Sequence, residues 1–149
     1  MAAGTFVDSP PRWADRIGRT LLALDAASTI GFAFVDGIRR VTQAADAQIM
    51  MEFWVTTAYL VFAGLWAILA WAPREYRGIW ELILIQKIAV TVFAWVLIDK
   101  PDAVRNTISD TSLVVTTIVA YVLCRGWYTW RKATAAEPVG AGHLATSTG

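Results

Sequence analysis

The sequence predicts an all-α fold, an integral membrane four-helix bundle with its helices in up-down-up-down order. First, 56% of the 149 residues are hydrophobic and the mean hydropathy is +0.48, which is too apolar for an ordinary soluble domain. Second, the chain contains four apolar stretches of about 20 residues, the length of a helix that crosses a bilayer. Third, short polar segments separate these stretches. We therefore expect one transmembrane domain, 17–132, after a polar N-terminal segment, 1–16.

The first predicted span is 17–35. Arginines at its start give it some likeness to a signal peptide. However, its apolar run contains Asp25, and no small-x-small cleavage site follows it. We interpret the segment as a retained membrane span.

The second and third predicted spans, 49–72 and 79–98, lie close together in the sequence. Pro73 favours the end of the second span, because the residue before a proline avoids helical geometry. Only the polar residues 74–78 then connect the two spans. Such a short connection predicts an antiparallel pair of neighbouring helices.

The fourth predicted span is 111–130. Residues 107–110 (TISD) resemble a capping box that opens a helix. Beyond this span, residues 133–149 are rich in Ala, Gly, Thr and Ser, and this composition predicts a disordered C-terminal tail.

Orientation in the membrane follows from the distribution of Lys and Arg. The side that holds both ends of the bundle and the 74–78 connection has about twice as many of these residues as the other side. We therefore predict a multi-pass protein of the cell membrane with both termini in the cytoplasm.

Four polar residues lie near the middle of the predicted spans, one on each. A charged side chain at that depth costs about 2.5 to 3.5 kcal/mol on insertion scales and commonly marks a functional site. The candidate catalytic residues are accordingly Asp25, Tyr59, Lys87 and Tyr121. Polar residues close to these positions are candidates for substrate binding: Ser28, Thr29, Thr56, Gln86, Thr91 and Thr117.

The simplest arrangement of the centre is an ion pair between Asp25 and Lys87. This pair is either a structural strut that fixes which helix faces meet, or part of a site. Helical spacing also predicts that Glu52, Thr56, Tyr59, Ala63 and Ala67 share a face that points into the protein.

Composition excludes several classes of function. Cys124 and His143 are the only cysteine and histidine, so an internal disulfide, a CxxC redox pair and a bis-histidine haem are excluded, and neither a metal nor another cofactor is expected. The formal net charge of +1 argues against nucleic-acid binding, which needs a clustered basic face. The expected partners are membrane lipid, a second copy of the chain or another membrane protein.

Three functions fit these features. We prefer a structural or partner-binding membrane subunit of unresolved activity. The alternatives are a membrane-embedded enzyme that acts on a lipid or terpenoid substrate, and a small proton-coupled carrier, so enzymatic activity is left open. A dry, filled core would favour the structural role, a cavity open sideways to lipid the enzyme, and one open to water on alternate sides the carrier.

Overall fold

A computed structural model of the chain describes residues 10–100 and 103–130, and these residues form helices without any β-strand. The helices are α1 (Arg12–Phe32), continued by a π-helical turn (Ala33–Gly37) and α2 (Ile38–Gln43), then α3 (Ile49–Trp71), α4 (Ile79–Val96) and α5 (Ala103–Leu123). Four helical segments are long and apolar enough to cross a membrane. The predicted all-α membrane fold is confirmed. The predicted tail, 133–149, and most of the segment 1–16 lie outside the described residues.

Helix α1 is at the centre of the packing. It contacts α3 and α5, and α5 also contacts α4, whereas α3 and α4 make few contacts with each other. The contacts between α1 and α3 run antiparallel: Arg19 donates a hydrogen bond to the carbonyl of Trp71, and Arg40 forms an ion pair with Glu52. This arrangement is compatible with the predicted up-down-up-down order.

Two groups of ion pairs lie at opposite ends of α1 and its continuation. The Asp15 cluster joins Asp15 to Arg19 at 2.8 Å and to Arg74 at 2.5 Å. The Asp36 cluster, formed by Asp36, Arg39, Arg40, Glu52 and Arg105, lies at the other end. The two aspartates are separated by about 30 Å along the helix, which is the thickness of the hydrocarbon core of a bilayer. The clusters therefore bracket one membrane thickness.

The π-helical turn positions Asp36 for contacts with two neighbouring helices. Its carboxylate accepts a hydrogen bond from Arg40 at 2.8 Å and pairs with Arg105 of α5 at 3.0 Å. The next residue, Gly37, lies against α3, and a Cβ at this position would be 2.5 Å from Cγ2 of Thr56. A side chain there would force the two helices apart. The turn thus ties α1 to α3 and α5 at one end of the bundle.

The fourth membrane helix differs from its prediction. It begins at Ala103, not at 111, and its candidate span is Val104–Leu123, not 111–130. It ends before Arg125, whose φ of 53° is the left-handed conformation that commonly terminates helices. The predicted capping box is wrong because Asp110 lies inside the helix and pairs with Lys87.

The predicted inward face of α3 is correct over most of its length and wrong at its end. Glu52, Thr56 and Tyr59 are half-buried and Ala63 is buried, but Ala67 is exposed. Trp66 is fully buried in its place. The reason is geometric: at 3.6 residues per turn, four turns after Glu52 bring the helix face back to Trp66.

Candidate functional site

A cleft of about 340 Å³ lies between α1 and α5, with one residue of α3 at its wall. Asp25 and Thr29 are buried and form its floor. Much of the rim is exposed on the outside of the bundle. The lining residues are Asp25, Ser28, Thr29 and Phe32 of α1, Tyr59 of α3, and Asn106, Ile108, Ser109, Asp110, Ser112, Leu113 and Thr116 of α5.

The depth of the cleft follows from its position between the two ion-pair clusters. Asp25 lies about 15 Å along the helix from both Asp15 and Asp36, and therefore near the midplane of a bilayer bounded by the two clusters. The exposed lining residues lie between that level and the Asp36 cluster: Ser28, Phe32, Asn106, Ile108 and Ser112. The cleft thus lies between the level of Asp25 and the Asp36 cluster, and it opens on the outside of the bundle.

Asp25 is held by hydroxyl groups. Thr116 lies 2.9 Å from both carboxylate oxygens and donates to one of them. Trp66 donates its indole N–H to the Thr117 hydroxyl at 3.0 Å, which leaves the proton of that hydroxyl for its hydrogen bond to Asp25. Within residues 10–100 and 103–130, Asp25 forms no ion pair. The floor of the cleft is therefore a carboxyl group that accepts hydrogen bonds from the hydroxyl groups of Thr116 and Thr117.

The ion-pair partner of Lys87 is Asp110. The ammonium nitrogen is 3.0 Å from Oδ1 of Asp110, and it also lies 5.2 Å and 5.6 Å from the ring centres of Phe62 and Trp66. The predicted ion pair between Asp25 and Lys87 is wrong. The reason is the packing order, since α4 contacts α5 and not α1.

The two tyrosine candidates lie in different places. Tyr59 lines the cleft and packs edge-on against Phe32, with ring centres 6.4 Å apart. Tyr121 does not line the cleft, and its ring contacts Trp80 at 5.3 Å and Trp127 at 5.7 Å. Because α5 begins at Ala103 and ends at Leu123, Tyr121 lies in the last turn of the helix. The prediction that Tyr121 lies at the middle of the fourth helix is wrong.

The predicted substrate-binding residues divide into two groups. Ser28 and Thr29 line the cleft, and Thr117 bonds to Asp25 at its floor. The buried Thr29 hydroxyl has no hydrogen-bond partner among the described residues. The remaining candidates do not line the cleft: Thr56, which donates to the carbonyl of Glu52, and Gln86 and Thr91, both on α4.

Sequence reasoning missed the contribution of α5. Asn106, Ser109, Asp110, Leu113 and Thr116 follow one another at the spacing of one helix face, and all five line the cleft. This periodicity was the available signal. The capping-box interpretation assigned Asn106, Ser109 and Asp110 to a connection, and Leu113 and Thr116 to a helix. The helix face that all five residues share was therefore not recognised.

The chain matches no protein-family model, and no curated protein or solved structure matches it significantly. By length and composition, the described helices are those of a small multi-pass membrane protein. Its most distinctive feature is a lateral cleft that combines a buried carboxyl group, several hydroxyl groups and two aromatic rings. Such a set accepts hydrogen bonds and attracts positive charge.

Proposed function

We propose that this chain is a multi-pass protein of the cell membrane, with both termini in the cytoplasm, that binds a lipid-soluble amphiphile in the cleft between α1 and α5. The observation that carries the proposal is the cleft itself, which reaches Asp25 near the middle of the membrane and has an exposed rim. The orientation is supported by the distribution of Lys and Arg in the sequence.

The size and lining of the cleft favour a ligand over a purely structural role. Its volume of about 340 Å³ falls within the range of roughly 300 to 1,000 Å³ typical of small-molecule sites. A structural core would be filled, because burying polar groups without partners costs free energy. Here Asp25 and Thr29 line open space, and the buried Thr29 hydroxyl has no hydrogen-bond partner among the described residues. This combination is expected of a site that a ligand completes.

The position of the rim favours a ligand that arrives from the bilayer. Ser28, Phe32, Ile108 and Ser112 are exposed at a level between the midplane and one membrane surface. A molecule dissolved in lipid can enter there without crossing water. Its apolar part would pack against Phe32, Ile108 and Leu113, and its polar part would reach Asp25, so the ligand class is an amphiphile.

Photoaffinity labelling tests this proposal directly. The purified protein is placed in phosphatidylcholine nanodiscs with a long-chain alcohol that carries a diazirine, and the labelled residues are identified by peptide mass spectrometry. We expect labels within 25–32 and 106–116. Ser112→Trp should abolish them by filling the cleft, whereas Val119→Trp should not, because Val119 is exposed on the same helix but does not line the cleft.

Labels spread evenly over the lipid-facing residues, with equal intensity in both tryptophan variants, would refute the proposal. The polar centre would then be structural or partner-binding, as the sequence alone suggests. The enzyme and carrier alternatives use the same cleft, and each would add turnover or transport to the binding measured here.

A further inference from the structure

The carboxyl groups that line the cleft outnumber the cations bonded to them. Asp25 and Asp110 both line it, and the ammonium nitrogen of Lys87 lies 3.0 Å from Oδ1 of Asp110. The other titratable group in the lining is Tyr59 of α3. With both carboxyl groups and the lysine ionised, this set carries one net negative charge. The excess belongs to Asp25, whose hydrogen-bond partners within the described part of the chain are the hydroxyl groups of Thr116 and Thr117.

Lys87 is not available to neutralise Asp25. Its ammonium group is buried, with 4% of the residue exposed, and it is held between Asp110 and the faces of Phe62 and Trp66. Moving it to Asp25 would leave the carboxylate of Asp110 uncompensated, at a similar cost. A carboxylate near the membrane centre needs a positive charge or a proton, and in this structure the open space of the cleft is where that charge can be placed.

We infer that the cleft is built for a monovalent organic cation with an alkyl chain, whose charged end lies against Asp25 and whose chain leaves through the rim. This inference rests on the proposed function and specifies its ligand class. Phe32 and Tyr59 line the same space, and aromatic faces within about 6 Å of a cation add attraction. Such a ligand places a positive charge beside Asp25, which a neutral or anionic amphiphile of the same length does not.

The test compares three photoreactive amphiphiles with the same diazirine-bearing chain and different ends: trimethylammonium, hydroxyl and sulfate. Half-saturating concentrations for labelling the cleft are measured in phosphatidylcholine nanodiscs, with partition into empty nanodiscs subtracted. We expect the trimethylammonium compound to half-saturate at a concentration about 10 to 100 times lower than the alcohol, the difference made by one interaction with a charged group. The sulfate should bind least.

Two matched variants test whether the charge of Asp25 causes the preference for the cationic amphiphile. Asp25→Asn keeps the size of the side chain and an oxygen that accepts from Thr116, but it removes the charge, so the half-saturating concentrations of the cation and the alcohol should become equal. Asp99→Asn makes the same change in net charge at an exposed position outside the cleft, and the preference should remain.

Equal half-saturation by the cation and the alcohol would overturn the inference, and so would a preference that persists in Asp25→Asn or vanishes in Asp99→Asn. In each of these cases labelling of the cleft by the alcohol, and its loss in Ser112→Trp, would leave the proposed function standing. Failure of all three compounds to label the cleft would instead refute the proposed function.

Discussion

Replacing Asp110 with asparagine is expected to destabilise the protein much more than the same change at Asp25. Lys87 is buried and forms its ion pair with Asp110 at 3.0 Å. Removing one partner of such a pair typically costs about 3 to 5 kcal/mol, since the other charge is left uncompensated. The Asp110 side chain is 17% exposed, so we expect a loss of about 3 kcal/mol, near the lower limit. Asp25→Asn removes no ion pair and should change stability by less than about 1 kcal/mol.

Double-mutant cycles measure separately how strongly Lys87 interacts with Asp110 and with Asp25. Lys87→Met should destabilise when made alone, but in combination with Asp110→Asn it should restore most of the loss, because no lone charge remains. The resulting interaction energy between Lys87 and Asp110 should be about 2 to 3 kcal/mol. The interaction energy between Lys87 and Asp25, obtained from the parallel cycle, should lie below about 0.5 kcal/mol.

The free energy of unfolding is measured by titrating dodecyl sulfate into protein in dodecyl maltoside micelles and following the loss of helicity by circular dichroism. Each variant is refolded from the same end point, so that the transitions are compared as equilibria. An interaction energy for Lys87 and Asp25 equal to or larger than that for Lys87 and Asp110 would refute the assigned pairing. Full stability of both single variants, Asp110→Asn and Lys87→Met, would show that the ion pair does not hold α4 against α5.

Two further predictions concern packing and orientation. Gly18→Ala should lower the free energy of unfolding by about 1 to 3 kcal/mol through overpacking, since the added Cβ would lie 2.5 Å from the sulfur of Cys124. In the control variant Gly31→Ala, the added Cβ meets nothing within 4 Å, so this change should be neutral or stabilising in the same titration. Equal effects of the two changes would contradict the close packing of α1 and α5. Single cysteines introduced at Ala45 and Glu75 should react with an impermeant maleimide from opposite sides of the membrane, with Ala45 labelled from outside intact cells. Labelling of both positions from the same side would contradict the proposed topology. Native Cys124 is buried and should stay unmodified.

Much of the architecture is a local property of the sequence. The apolar lengths predicted four helices, and α3 and α4 begin at the predicted residues, Ile49 and Ile79, whereas α1 begins at Arg12, before the predicted start at 17. Spacing also predicted correctly that Asp25, Lys87 and Ala63 are buried. These features follow from the composition of single segments, because a helix that crosses a bilayer must satisfy its backbone internally and turn its polar side chains toward protein.

The identity of each contact depends on more than one segment. A helical period indicates which face of a helix is buried, but not which neighbouring helix covers it or at what register. The sequence therefore paired Lys87 with Asp25, whereas the packing of α4 against α5 gives it Asp110. For the same reason Tyr121 was expected at the centre and lies beside Trp80.

The cleft is the clearest case of a feature decided by tertiary structure. Asp110 and its polar neighbours on α5 resembled a helix start, because Thr, Ser and Asp are common caps as well as common lining residues. They became the wall of a site only when α5 was placed alongside Asp25 of α1. The sequence by itself determined that a carboxyl group and an ammonium group are buried in a small membrane protein. The tertiary structure decided that the ammonium group is paired with Asp110 and that the carboxyl group of Asp25 faces open space, because that outcome depends on which helices are neighbours.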